Sequence, residues 1–121
     1  MVDALGDPLR FVATAGQVAD ATRAPTLLAG QSATRAIMDK AHDADAVSDL
    51  LIRQAILPVI PPKANRTVQR EYDRHLCKER HLVECCIGKL KQFRRVFSRF
   101  DKTVRRFSNF IQFAAVLIWL R

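Results

Sequence analysis

The sequence predicts an α/β fold in which a short, partial sheet is followed by two long C-terminal helices. Strand-length apolar runs at 35–38 and 56–60 alternate with short helical stretches, a pattern that calls for a central, partly parallel sheet. From about residue 79 onward, apolar residues recur at helical spacing through two long segments. A hydrophobic content of 49% in 121 residues fits a globular chain of one domain's worth or less.

Taken in order, Asp3-Ala-Leu-Gly-Asp-Pro8 is a turn signal, and the alternating Leu9–Thr14 after it reads as a strand. Only Met1 and Val2 lie before that turn, so the hairpin's first arm is nearly missing. Ala24–Ala29 reads as a short helix stopped by Gly30. Arg35–Met38 is a buried strand ending at Asp39, and Asp45 is placed to cap a helix reaching Leu51 or Gln54. Its apolar side is expected to carry Ala46, Leu50 and Leu51. Ile56–Ile60 is a third strand, closed by Pro61-Pro62, and Lys63–Val68 is a basic loop. Two long helices follow, about Glu79–Arg99 and Thr103–Leu120, joined near Asp101.

The charge is unevenly spread. Residues 1–62 hold five Lys/Arg against seven Asp/Glu, whereas residues 63–121 hold fifteen against five. A basic helical half implies a phosphate-rich partner, although charge alone does not separate DNA from RNA or a membrane surface. Three cysteines, two of them adjacent, make no disulfide framework, and a reducing cytosol is the simpler inference. Cys77, His81 and Cys85 align at i, i+4 and i+8, yet three ligands on one rigid helix do not readily close a zinc tetrahedron. Helix-packing thiols are the expectation. No basic start leads into an apolar signal core, and the apolar run 110–120 falls short of the roughly 18 residues a spanning helix needs. A soluble, cytoplasmic protein is expected.

The most informative stretch runs from Lys78 through Glu84 to Arg95. At about 100° per residue, Arg80, Glu84 and Lys91 fall near about 0°, 40° and 20°, with Cys77 and Arg95 near about 60°. Leu82, Val83, Cys86, Leu90, Phe93 and Phe97 occupy a separate arc. This is a carboxylate framed by cations, a pattern suited to a metal-binding acid beside a polyanion. An ordinary Arg80–Glu84 surface ion pair, of about 0.3–0.5 kcal/mol, has the same spacing.

Several segments together resemble the C-terminal part of bacterial insertion-sequence transposases of the DDE class. They are Asp3–Phe11, Met38-Asp-Lys-Ala-His-Asp43, Val59–Lys63, Glu79–Glu84 through Lys91–Arg95, and Phe113–Leu120. The resemblance implies an incomplete ribonuclease-H-like domain across residues 1–121. It also implies a site in which carboxylates hold two divalent metals, Mg²⁺ or Mn²⁺, for DNA strand cleavage and transfer. Asp39 then corresponds to the second catalytic aspartate and Glu84 to the catalytic glutamate, both as metal ligands. Arg80 and Lys91 match basic members of the family's signature and would contact DNA, joined by Arg94 and Arg95. Arg99, Lys102, Arg105 and Arg106 would add phosphate contacts, or form a solvated basic surface.

The chain departs from the family pattern at Cys77, where tyrosine is usual, and at His42, where an aromatic is usual. No residue matches the first catalytic aspartate, and the N-terminal DNA-recognition region has no counterpart. The implied partners are transposon-end DNA, the N-terminal part of the transposase and further copies in a transposition complex. The chain is expected to be inactive in cleavage alone, and marginal as an isolated fold because its sheet has a bare edge. Two other readings stay open: a non-catalytic basic DNA- or RNA-binding protein, and a helical protein–protein adaptor built on the last helix.

Overall fold

The computed structural model describes residues 1–14, 17–98 and 102–121. They form two compact units, one of residues 15–80 and one joining 1–14 to 81–121.

The 15–80 unit is a mixed α/β unit with a two-stranded parallel sheet. Helix α1 (Ala24–Leu28) opens with Pro25, whose fixed φ suits a first turn, and is followed by Gly30 at φ +70°. Strand β1 (Arg35–Ile37) leads through a 3-10 turn at Lys40–His42 to α2 (Asp45–Arg53), and then to β2 (Leu57–Val59). The strands pair in parallel, Arg35 with Leu57, Ala36 with Pro58 and Ile37 with Val59. Parallel pairing needs a crossover, and α2 supplies it. The Met38 amide donates to the Val59 carbonyl at 3.1 Å, carrying the ladder to the residue before Asp39. Ala24, Leu28, Val47, Leu51, Ile56 and Ile60 make the core.

Three expectations for this unit need correction. β1 is not a buried strand: Arg35 is exposed, and Ala36 and Ile37 are half-buried. Asp45 does not cap α2, because Ala44 occupies the cap and the Asp45 carboxylate is held by arginines instead. The buried face of α2 is Val47, Ser48 and Leu51, while Ala46 is exposed. Placing Asp45 one position later in the helix rotates that face by one residue. At its far end α2 closes with Ala55 at φ 58°, and the Ile56 amide donates back to the Leu51 carbonyl at 2.9 Å. That reverse bond is the closure usually made around glycine.

The second unit begins with the expected tight turn. The Asp3 carboxylate accepts from the Leu5 and Asp7 amides at 2.8 and 2.9 Å, and Gly6 takes φ +87°. The turn closes an isolated antiparallel bridge, Val2 with Pro8. The expected strand Leu9–Thr14 does not form: the Leu9 and Arg10 amides donate to the Met1 carbonyl at 3.0 and 3.4 Å, and the pairing goes no further among the described residues.

The long helix expected over Glu79–Arg99 is also broken up. Asp73 caps α3 (Arg74–Cys77) by accepting from the His75 and Leu76 amides, and a 3-10 turn covers Lys78–Arg80. Helix α4 (His81–Lys91) follows, and then α5 (Arg94–Ser98). At the break, the Gln92 and Phe93 amides make tight bonds to Lys89 and Leu90, and the Phe93 carbonyl starts α5 by accepting from Val96. Phe93 packs on the Cys86–Leu90 core, so the chain turns to keep that ring covered. Helix α6 (Val104–Trp119) forms as expected, with the Thr103 hydroxyl capping it at 3.4 Å from the Arg106 amide. Cys86, Leu90, Ala114 and Ile118 form this unit's core, and the Trp119 indole donates to the Pro8 carbonyl at 2.7 Å. The junction at Asp101, together with Arg99, lies outside the described residues.

Candidate functional site

Asp39 follows directly on the carboxyl end of β1, with extended backbone (φ −75°, ψ 157°) at the start of the 3-10 turn. Its Oδ1 accepts from the Lys40 amide at 2.6 Å and from Arg80 Nη1 at 3.0 Å. Oδ2 has no partner among the described residues, and the side chain is 51% exposed. Crevices at the carboxyl ends of parallel strands are where open α/β sheets bind ligands.

Arg80 is therefore spent on Asp39, 41 residues away in sequence, and not on Glu84. This overturns both the surface ion pair Arg80–Glu84 and the single stripe of Arg80, Glu84, Lys91 and Arg95. Arg80 lies in the 3-10 turn ahead of α4, and Arg95 lies beyond the break that starts α5. Glu84 and Lys91 share α4, and both are exposed. Glu84 has no hydrogen bond or ion pair among the described residues. Arg94 and Arg95 are exposed on α5. Asp39 and Arg80 thus belong to the 15–80 unit, and Glu84, Lys91, Arg94 and Arg95 to the other.

As donors, Asp39 and Glu84 offer the hard carboxylate oxygens that Mg²⁺ or Mn²⁺ prefers. The described residues nevertheless contain no group of three or more His, Cys, Asp or Glu side chains placed to hold a metal ion. The cysteines divide by environment. Cys86 is buried, and burial pushes its thiol pKa up, which suits a packing residue; Cys77 is half-buried and Cys85 exposed. The expectation of packing thiols thus fails at Cys85.

Sequence reasoning missed a charge network beside Asp39. The Asp43 carboxylate, 1% exposed, accepts from the Lys63 amide at 2.7 Å and from Arg66 Nε at 2.8 Å, with Arg70 Nη1 at 3.7 Å. Asp45 is held by both Arg66 and Arg70. Burial alone would raise the Asp43 pKa, but the Lys63 amide and the two guanidinium groups outweigh it and hold the carboxyl below its ordinary range. Asp45 is likewise lowered, first by its hydrogen bond from Arg66. The network pins the loop after β2 to the turn after β1. Arg66 and Arg70 four apart, with Asp43 and Asp45 two apart, were the signal available in the sequence. His42, in the turn next to Asp39, carries a buried Nδ1 with no hydrogen-bond partner among the described residues.

An aspartate anchored at the end of a parallel strand thus lies in one α/β unit, and exposed cations gather in the other. Comparison with known proteins gives the family: residues 27–118 match the family of DDE superfamily endonucleases, and the chain belongs to that family. It is 37% identical over 126 residues to a Brucella ovis protein named "Putative transposase for insertion sequence element IS6501", covering 100% of this chain and 95% of that protein. No solved structure matches the chain. The resemblance to DDE transposases is thereby shown, and endonucleases of this superfamily are generally dependent on divalent metals. Among the described residues, no helix is long and apolar enough to cross a membrane.

Proposed function

We propose that this chain acts in DNA transposition as the C-terminal portion of a DDE transposase catalytic domain with a ribonuclease-H-like fold. It binds DNA and supplies Asp39 and Glu84, two of the three carboxylates that hold the divalent metals for strand cleavage and transfer. The observation that carries this reading is Asp39, half-exposed at the carboxyl end of β1 with one oxygen fixed by Arg80 and the other without a partner among the described residues. Membership of the endonuclease family and the match to an insertion-sequence protein support it.

In this reading Arg80 is a positioning residue that orients Asp39 and offsets its charge, in place of the direct DNA contact the resemblance implies. Lys91, Arg94 and Arg95 bind the DNA backbone. The metal, when bound, would stabilise charge on the attacking and leaving oxygens of phosphoryl transfer. With no counterpart of the first aspartate, the chain alone does not cleave DNA. Its partners are transposon-end DNA, the region carrying the first aspartate, and further copies in a cytoplasmic transposition complex.

The test is DNA binding with and without Mn²⁺. The metal-supported part of the affinity should vanish in both Asp39→Asn and Glu84→Gln. If Glu84→Gln leaves it unchanged while Arg94→Ala and Arg95→Ala abolish binding, the chain is a non-catalytic basic DNA-binding protein. Cleavage by the wild-type chain that is lost on Glu84→Gln would refute its dependence on a further carboxylate.

A further inference from the structure

The strongest feature that the catalytic reading does not use lies on the 1–14/81–121 unit, where α5 meets α6. Arg95, Arg106, Asn109, Phe110 and Phe113 line an open depression of about 310 Å³ there. The Arg95 guanidinium lies 5.6 Å from the centre of the Phe110 ring, a cation–π distance. The Phe110 and Phe113 rings are 6.3 Å apart and tilted by 48°. Phe113 is 57% exposed and so presents a ring to solvent amid cations.

Charge selects the occupant. Residues 89–106 contain eight Lys and Arg and a single acid, Asp101, and no other acid follows to the end of the chain. Neither Arg95 nor Arg106 has an acidic partner among the described residues. A basic surface interleaved with aromatic rings binds polyanions whose units carry flat π-faces, because each base can stack while its phosphate meets a cation. A duplex keeps its bases stacked on one another, so its backbone would engage the arginines but leave Phe113 unused.

We propose that this depression is a platform for unpaired bases of single-stranded DNA. Phe113 stacks on a base, Asn109 reaches its polar edge, and Arg95 and Arg106 hold the flanking phosphates. The inference rests on the reading of the chain as DNA-binding, and names the form of DNA that this face takes.

The test is fluorescence anisotropy with the full chain and three labelled probes: a short oligo(dT), an abasic oligonucleotide of equal length, and a duplex. Oligo(dT) should bind about 5- to 160-fold more tightly than the abasic strand, the range for one stacked base. Phe113→Ala should erase that difference and leave duplex binding unchanged, while Phe113→Trp should retain it. Arg95→Ala with Arg106→Ala should weaken all three probes. An unaltered thermal melt for Phe113→Ala, expected because the ring is more than half exposed, separates loss of stacking from loss of fold. Equal binding of oligo(dT) and abasic strand with duplex binding intact overturns the base platform alone. Absence of binding to any probe overturns the DNA-binding reading as well. Binding to anionic lipid vesicles that is lost in Phe113→Ala, with oligo(dT) and abasic strand bound alike, assigns the face to membranes and sinks the proposal.

Discussion

The two units use the same residue types for opposite ends. Residues 15–80 contain ten Lys and Arg and eight Asp and Glu, whereas residues 1–14 with 81–121 contain ten and four. In the first unit Arg66, Arg70 and Arg80 are each tied to an aspartate. In the second, Lys91, Arg95, Arg105 and Arg106 have no acidic partner among the described residues. Near Asp39 these three arginines are spent on ion pairs that hold loops, whereas the four cations named in the second unit are not. A count of basic residues therefore says little about DNA binding until their partners are known.

Removing charge should separate the units most sharply at Asp43. Asp43→Ala strips a buried carboxylate from two arginines and the Lys63 amide, and should cost about 3 kcal/mol by chemical denaturation, as for other broken buried pairs. Arg95→Ala should change stability by less than about 0.5 kcal/mol. It should instead lower the slope of log affinity against log salt on duplex DNA by about 0.9. Equal effects of the two substitutions on stability would erase the distinction between structural and surplus charge.

The same network predicts a pH dependence confined to the 15–80 unit. The folded pKa of Asp43 is depressed, so its contribution is fully present above the ordinary carboxylate value, about 3.9. It is lost as pH falls below that value through the folded pKa, because the unfolded chain then takes up the proton first. The melting temperature should drop through this acid window and drop less in Asp43→Ala. An identical acid profile for the variant would assign the loss to other carboxylates, such as Asp45 or Asp73, which are also lowered.

Local structure was legible where one physical rule decided it. Gly30 stops α1, Thr103 caps α6, and the apolar runs around 35–38 and 56–60 became paired strands. What escaped were outcomes set by distant partners. Arg80 looks like an i, i+4 mate of Glu84 because local spacing is all a sequence displays, yet the folded chain brings it to Asp39. The break at Gln92-Phe93 carries no glycine or proline signal and is driven by cover for the Phe93 ring. For the candidate site, Asp39 at the end of a strand was readable from the sequence, whereas the Asp43–Arg66 clamp beside it left only the spacing of its charges and no sign that the two pairs meet.

His42 gives a smaller handle on the same region. A buried, unpartnered ring nitrogen forfeits its hydrogen bond to water without replacement, at a cost of about 1–3 kcal/mol. His42→Phe keeps a planar ring and has no such atom, so it should stabilise the chain by about 1 kcal/mol in denaturant titration. A loss of stability would mean that the larger ring does not fit, and that packing rather than polarity governs the turn after Asp39.

The smallest expected effect is at Ala55, which lies in the left-handed region at φ 58° between α2 and β2. Its Cβ crowds the following carbonyl there, at about 1–2 kcal/mol for an L-residue, while glycine adds about 0.5–1 kcal/mol of unfolded-chain entropy. Ala55→Gly should thus be net stabilising by about 0.5 kcal/mol, visible as a slightly higher denaturation midpoint with an unchanged slope. The side chain is exposed, so no packing is lost. A lower midpoint would show that relief of the left-handed strain at Ala55 does not offset the entropy that glycine adds to the unfolded chain.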